Sequence, residues 1–241
     1  MQMSKIKIAE TISDTPYSRV SYCLLNDVKA VLKTKKESII TNSISTELEI
    51  HQFFSNYDLC PEILDFDLQK NRIVYEYIQY SVENSAYSQV FLEIFGETLS
   101  KLHGLNYRNQ GIDTFEEKIE SYRNILSSNS TNEIQKGFVL FDKLYKKPNK
   151  LTFCHNDLNP MNTFLNKKLQ FIDWEYAGLN MPIYEIASIK KSFNFSSDQF
   201  NIFLKAYGQD FNPNDIKEFE ILVGSIEKIW QEVTDKQKKI S

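Results

Sequence analysis

Cysteine, glycine, excess basic charge and long apolar runs are all scarce in this chain, and each scarcity removes a class of function. The cysteines Cys23, Cys60 and Cys154 are scattered and form no Cys-x-x-Cys pair. Neither a disulfide framework nor a zinc knuckle is indicated, and buried reduced thiols are expected. A formal charge of −4 at pH 7 lacks the basic face of a dedicated nucleic-acid or anionic-membrane binder. No apolar run approaches the roughly 18 residues that span a bilayer. The stretch Met1 to Lys7 has no apolar segment of the signal-peptide kind, so a cytoplasmic location is expected. The first glycine is Gly96, which leaves the N-terminal third without a Walker A or Gly-x-Gly-x-x-Gly phosphate loop.

What remains is an ordinary globular composition, 41% apolar and 25% charged over 241 residues, long enough for one large domain or two small lobes. The first eighty residues read as a small sheet with one helix. Tyr17 to Leu25 and Val28 to Lys33 alternate as strands around Asn26-Asp27, and Ile44, Leu48, Phe53 and Phe54 suit a helix over 44–54. Pro61 closes that unit, and Glu62 to Phe66 and Asn71 to Ile78 form a further hairpin around Asp67 to Lys70. Beyond Tyr80 the period becomes helical, over 89–105, 115–126, 134–145, 182–193, 197–207 and 213–233. The segment Asp235 to Lys239 is expected to be a frayed, solvated end. The resulting α+β architecture has a β-rich lobe over 1–78, a hinge near Glu76 to Ser81, and a mainly helical lobe over 79–241.

The chemistry concentrates in His155-Asn156-Asp157-Leu158-Asn159-Pro160-Met161-Asn162 and in Phe171-Ile172-Asp173-Trp174-Glu175-Tyr176-Ala177-Gly178. Short buried strands at Leu151 to Cys154, Thr163 to Leu165 and Leu169 to Ile172 would carry these polar residues at strand ends and in a loop. Asp and Asn are good turn formers, which explains any one of them alone. A His-x-Asp-x4-Asn match, however, arises by chance in only about one in a hundred chains of this length. Kinase-type phosphoryl transfer needs a catalytic-loop Asp near the acceptor hydroxyl, an Asn metal ligand five residues on, and a second Asp after the next hairpin. Asp157, Asn162 and Asp173 stand in that order, with Asp157 as catalytic base and acceptor contact and the other two as Mg²⁺ ligands.

Such a site also needs a cation on the nucleotide phosphates, usually a strand lysine paired with a helix Glu. Lys33, ending Ala30-Val31-Leu32-Lys33, has that setting; the blander reading is a solvated lysine among Lys29, Lys35 and Lys36. Glu47 is its natural partner and Glu49 competes, the two pointing about 200° apart on a helix. ATP is expected in the cleft between lobes, against Lys33, Glu47, Glu76 and Ile78. Without glycines, the turn around Ser13 to Ser18 would have to cover the phosphates. His51 and His103 sit in helical segments and take no catalytic role.

At these residues the chain resembles the choline and ethanolamine kinases, within the aminoglycoside phosphotransferase-like small-molecule kinases. Both motifs look very like the bacterial choline kinase versions, and Ser100-Lys101-Leu102-His103 resembles the Leu-His ending of the family's first C-lobe helix. The likeness is specific over about 151–187 and looser over 20–105. It departs in the missing glycines, the short chain, and Glu185 where the family often has Asp. It implies a two-lobed protein-kinase-like fold, ATP and Mg²⁺ as cofactors, and a small cationic alcohol as acceptor, choline foremost. Trp174, Glu175, Tyr176 and Trp230 would line the acceptor pocket through aromatic faces and a carboxylate. Thiamine and aminoglycoside kinases, or a non-catalytic pseudokinase, are the alternative expectations. No nucleic-acid partner and no membrane span are expected.

Overall fold

The computed structural model describes residues 5–38, 40–79, 82, 87–108, 111–126, 130–146 and 150–238. The chain divides into two compact units: Met1–Ser85 with Pro160–Tyr176, and Ala86–Asn159 with Ala177–Ser241. The α+β class follows the sequence, but the second polar motif belongs to the first unit, since Pro160–Tyr176 returns to the N-terminal sheet.

The first unit is built on five antiparallel strands in the order β1-β2-β3-β5-β4, namely β1 (Ile6–Asp14), β2 (Ser18–Leu25), β3 (Val28–Lys35), β4 (Ile63–Asp67) and β5 (Arg72–Glu76). Alternation sorts their side chains by face. Ala30 and Leu32 pack with Cys23, Leu25 and Val74 on one side, while Ile73 on the other packs with Ile44 and Leu48 of α1 (Ile44–Ser55). Ser43 caps α1 by accepting from the Thr46 amide at 3.2 Å, as an N-cap serine should. Two turns use Asn26, Asp27 and Asn71 with positive φ, the left-handed conformation that short polar side chains tolerate when glycine is absent. Strand β1 goes beyond the sequence expectation. It lies at the sheet edge with Ile8 and Ile12 exposed, so no buried face marked it.

The rest of the first unit is the hairpin β7 (Thr163–Leu165) and β8 (Leu169–Phe171). It is tied to the body of the unit by the Phe171 amide donating to Leu59 O at 2.8 Å and by Gln170 donating to Cys60 O at 2.7 Å.

The second unit is helical: α2 (Gln89–Gly104), α3 (Phe115–Leu126), α4 (Asn132–Tyr145), α5 (Pro182–Ser192), α6 (Ser197–Tyr207) and α7 (Pro213–Lys238), with the two-stranded pair β6 (Thr152–Cys154) and β9 (Gly178–Asn180). Helices α2 and α6 approach so closely at Gly96 that a Cβ there would lie 2.4 Å from Phe203 O, hence glycine inside a helix. Helix α7 overturns the expected frayed end. The helix runs on to Lys238, with Val233 and Thr234 buried and Lys236 donating to Ile125 O at 2.6 Å, so a hydrogen bond to α3 holds its last turn; Lys239 lies outside the described residues. Parts of the expected hinge, Tyr80 and Ser81, also lie outside them. No helix among the described residues is long and apolar enough to cross a membrane.

Candidate active site

In the first unit, the expected strand lysine is in place. Lys33 is 4% exposed, with its Nζ 2.6 Å from Glu47 Oε2 and 2.5 Å from Asp173 Oδ1. Glu47 therefore takes the partnership left open against Glu49, whose side of α1 faces solvent. Burial alone would lower the Lys33 pKa, but the carboxylates of Asp173, Glu47 and Glu175 outweigh it and hold the ammonium well above the ordinary lysine value. Lys33 is thus a fixed cation.

Asn162 and Asp173 are brought together by hairpin register. Thr163 pairs with Phe171, and one step outward the Ile172 amide donates to Asn162 O at 3.1 Å. Asp173 follows directly, held at φ 68°, a conformation that is uncommon for a residue with a Cβ and typical of functional sites. Amide and carboxylate oxygens are hard donors of the kind Mg²⁺ takes. The surrounding cluster of Glu47, Asp173 and Glu175 carries one more negative charge than Lys33 and Lys35 supply. The residues present fit a divalent cation.

Lys35 corrects the expectation of a solvated lysine. It is 7% exposed and bonds Glu47 Oε1 as well as Glu175 Oε2, the latter at 3.0 Å. The signal was its i+2 spacing from Lys33, which puts both on one strand face. Burial raises the Glu175 pKa, with Asp173 pushing the same way. Trp174 is likewise placed otherwise than expected. Its ring stacks on Phe54 at 4.9 Å with 2° between planes and is 1% exposed, so it serves the core rather than offering a face to a ligand. Glu175 spends its carboxylate on the lysines. The Asn42 side chain donates to Trp174 O at 2.9 Å, and its amide donates to Glu175 O at 2.7 Å. This clamp had no visible sequence signal.

Glu76 accepts from the Glu62 amide at 3.1 Å, and Ile78 is half-buried just beyond β5. The turn between β1 and β2 satisfies itself: Thr15 Oγ1 accepts from the Tyr17 and Ser18 amides at 3.2 and 3.0 Å, and the Thr15 amide donates to Ser18 O. Its backbone donors are already used, unlike those of a glycine-rich cradle.

In the second unit, Asp157 lies half-buried after the fully buried His155, with its Oδ1 accepting from Asn159 Nδ2 at 3.4 Å. The loop is set by Asn156, at φ 65°. Its amide donates to Glu185 Oε1 at 2.6 Å, and its Oδ1 accepts from Asn180 at 2.8 Å. Glu185 is 0% exposed, and its other oxygen meets His103 Nε2 at 2.7 Å, while His103 Nδ1 meets Tyr207 at 2.8 Å. His103 is thus a satisfied core histidine. His103, Cys154 and Glu185 bring potential ligand atoms within 4.8 Å of one another, but both ring nitrogens of His103 are hydrogen-bonded, which makes this a polar hub rather than a metal centre. Glu185 was visible in the sequence only as a departure; its role depends on His103 and Asn156, which are remote in sequence. Tyr176 and Trp230 are half-buried, the first in unit one and the second on α7. The three cysteines are free and buried, as expected.

The family model of the phosphotransferase enzyme family (APH) matches residues 17–219. A Protein LicA homolog of Metamycoplasma hominis is 29% identical over 185 residues, 73% of this chain and 72% of the relative. The choline kinase LicA from Streptococcus pneumoniae superposes with a TM-score of 0.76 at 20% identity, covering 97% of this chain and 86% of that one. A choline/ethanolamine kinase family protein from Mesorhizobium loti gives 0.73 at 17% identity, covering 98% and 81%. These likenesses show a protein-kinase-like fold. The family match runs through both compact units and takes in Lys33, Glu47, Asp157, Asn162 and Asp173: the chain belongs to the phosphotransferase enzyme family and is a phosphotransferase.

Proposed function

We propose that this phosphotransferase moves the γ-phosphoryl group of Mg²⁺·ATP to the hydroxyl of a small cationic alcohol, choline first among the candidates. The observation that carries the reading is Lys33, a buried cation bonded at once to Glu47 and Asp173, as a phosphate-binding lysine of a kinase-like site is. Lys33 would hold phosphate oxygens, its charge secured by three carboxylates. Asn162 and Asp173 would hold Mg²⁺, which when bound neutralises phosphate charge and orients the triphosphate. Asp157 would orient the acceptor hydroxyl and accept its proton, on a loop fixed through the Asn156 amide by Glu185. Support for nucleotide comes from a structure of LicA in complex with AMP, which shares this fold at a TM-score of 0.75 and 19% identity. Support for the acceptor comes from the LicA relatives and the choline kinase structure. With Trp174 and Glu175 committed elsewhere, Tyr176 and Trp230 are the candidate aromatic contacts for a quaternary ammonium.

A coupled ADP-release assay across choline, ethanolamine, thiamine and an aminoglycoside tests this. The parent protein should turn over choline, and Asp157→Ala should lose about 10³-fold in rate with an unchanged melting temperature. Near-parent turnover in the variant would remove Asp157 from the chemistry; activity with the aminoglycoside alone would overturn the acceptor.

A further inference from the structure

Lys35 has no part in the chemistry just described, yet it is buried nearly as deeply as Lys33. Both lysines leave β3 on the face covered by α1. Glu47 divides its two oxygens between them, Oε2 to Lys33 at 2.6 Å and Oε1 to Lys35. Glu175 Oε2 lies 3.0 Å from Lys35 and 3.7 Å from Lys33, so it is a second acid within reach of both cations. A buried carboxylate with two cationic partners keeps its orientation when one of them turns elsewhere; with a single partner it is left undercompensated when that partner leaves. Lys33 is the partner that must turn, toward phosphate.

We propose that Lys35 is a positioning residue for nucleotide binding. By holding Glu47 Oε1 and Glu175 Oε2 together, it fixes the Glu47 carboxylate whose other oxygen aims Lys33, and it keeps Glu175 from competing with phosphate for Lys33. This rests on the nucleotide site proposed above. Glu47 accepts from Lys33 on one side and Lys35 on the other, so losing the second tether affects the aim of the first. The acceptor hydroxyl plays no part in this ring of charges, and its recognition should be indifferent to Lys35.

Calorimetric titration with Mg²⁺ and a non-hydrolysable ATP analogue, alongside steady-state kinetics, tests this on the parent, Lys35→Arg, Lys35→Met and the double variant Lys35→Met/Glu175→Gln. The double variant removes one cation and one carboxylate together, so the cluster keeps its net charge and the chain its fold. Lys35→Met should weaken analogue binding and raise KM for ATP by about tenfold, the scale of one charged hydrogen bond, with KM for the acceptor unmoved. Lys35→Arg should recover most of the affinity. The double variant should recover the melting temperature but only part of the affinity, because Glu175 no longer competes for Lys33 while Glu47 Oε1 is still untethered. Parent-like affinity in a folded Lys35→Met or in the double variant would overturn the proposal, the latter by showing that Lys35 only balances Glu175. A parent that fails to bind the analogue would overturn the nucleotide site and this role with it; a parent that binds it while Lys35→Met binds equally would overturn this role alone.

Discussion

In the first unit the buried polar side chains of Lys33, Lys35, Glu47 and Glu175 meet as ion pairs, whereas in the second the loop carrying Asp157 is held by hydrogen bonds converging on Glu185 and Asn180. Ion pairs are weakly directional, so a lysine can trade a carboxylate for a phosphate while its charge stays compensated. Hydrogen bonds to a backbone amide and a ring nitrogen are directional and fix a geometry. One unit is thus built for exchange of partners and the other for fixed aim, and both kinds of buried group are costly to orphan.

The contrast is most exposed to Lys33→Met. Removing the cation leaves Glu47 buried with one partner; stability should fall by about 3–5 kcal/mol in urea unfolding and ADP release by at least about 100-fold. A variant that loses activity at undiminished stability would show that the ion pairs do not hold the first unit together. Glu185→Gln sharpens the other side. It leaves one acceptor oxygen for two donors, so kcat should fall about tenfold while KM for ATP stays put, with about 2 kcal/mol lost in stability. A rise in KM for ATP alone would erase the division of labour.

His51 adds a neutral element to the charged unit. Its Nε2 lies 2.7 Å from Pro61 O, and burial lowers its pKa to about 4, outweighing that hydrogen bond. The unfolded chain therefore takes up the proton first. The histidine's contribution is complete above about pH 6.5 and drains away as pH falls toward 4, amounting to about 2 kcal/mol between pH 7 and 5. Urea midpoints at the two pH values should show this slope, and His51→Gln should flatten it. The smallest effect belongs to the surface: Lys143→Ala, breaking the exposed pair with Glu218, should change stability by less than about 0.5 kcal/mol.

Much of this was legible from residues alone because local pattern and global fold agree there. Strands β2 and β3 alternate, the helices keep their period, and Lys33, Asp157, Asn162 and Asp173 stand at ends of short apolar segments. Strand β1 was not legible because Ile8 and Ile12 face outward and leave no buried stripe. Lys35 was misread because lysine is rarely buried without partners, and the partner that closes its ring, Glu175, lies 140 residues away. Trp174 was read as a ligand face because nothing local to it announces Phe54, 120 positions upstream in the sequence and parallel to its ring. The Glu47 or Glu49 question was decided by the Lys33–Glu47 bond at 2.6 Å, with Glu49 on the exposed side of α1.

The first unit closes only when Pro160–Tyr176 joins Met1–Ser85. During synthesis, therefore, the sheet and α1 leave the ribosome long before Asp173 and Glu175 exist to compensate Lys33 and Lys35, or Trp174 to cover Phe54. For that interval the nascent chain holds two lysines against one glutamate and an uncovered aromatic ring, a species prone to association. The chain must be made as far as Tyr176 before the first unit is finished, which ties successful biosynthesis to the same hairpin that carries Asp173.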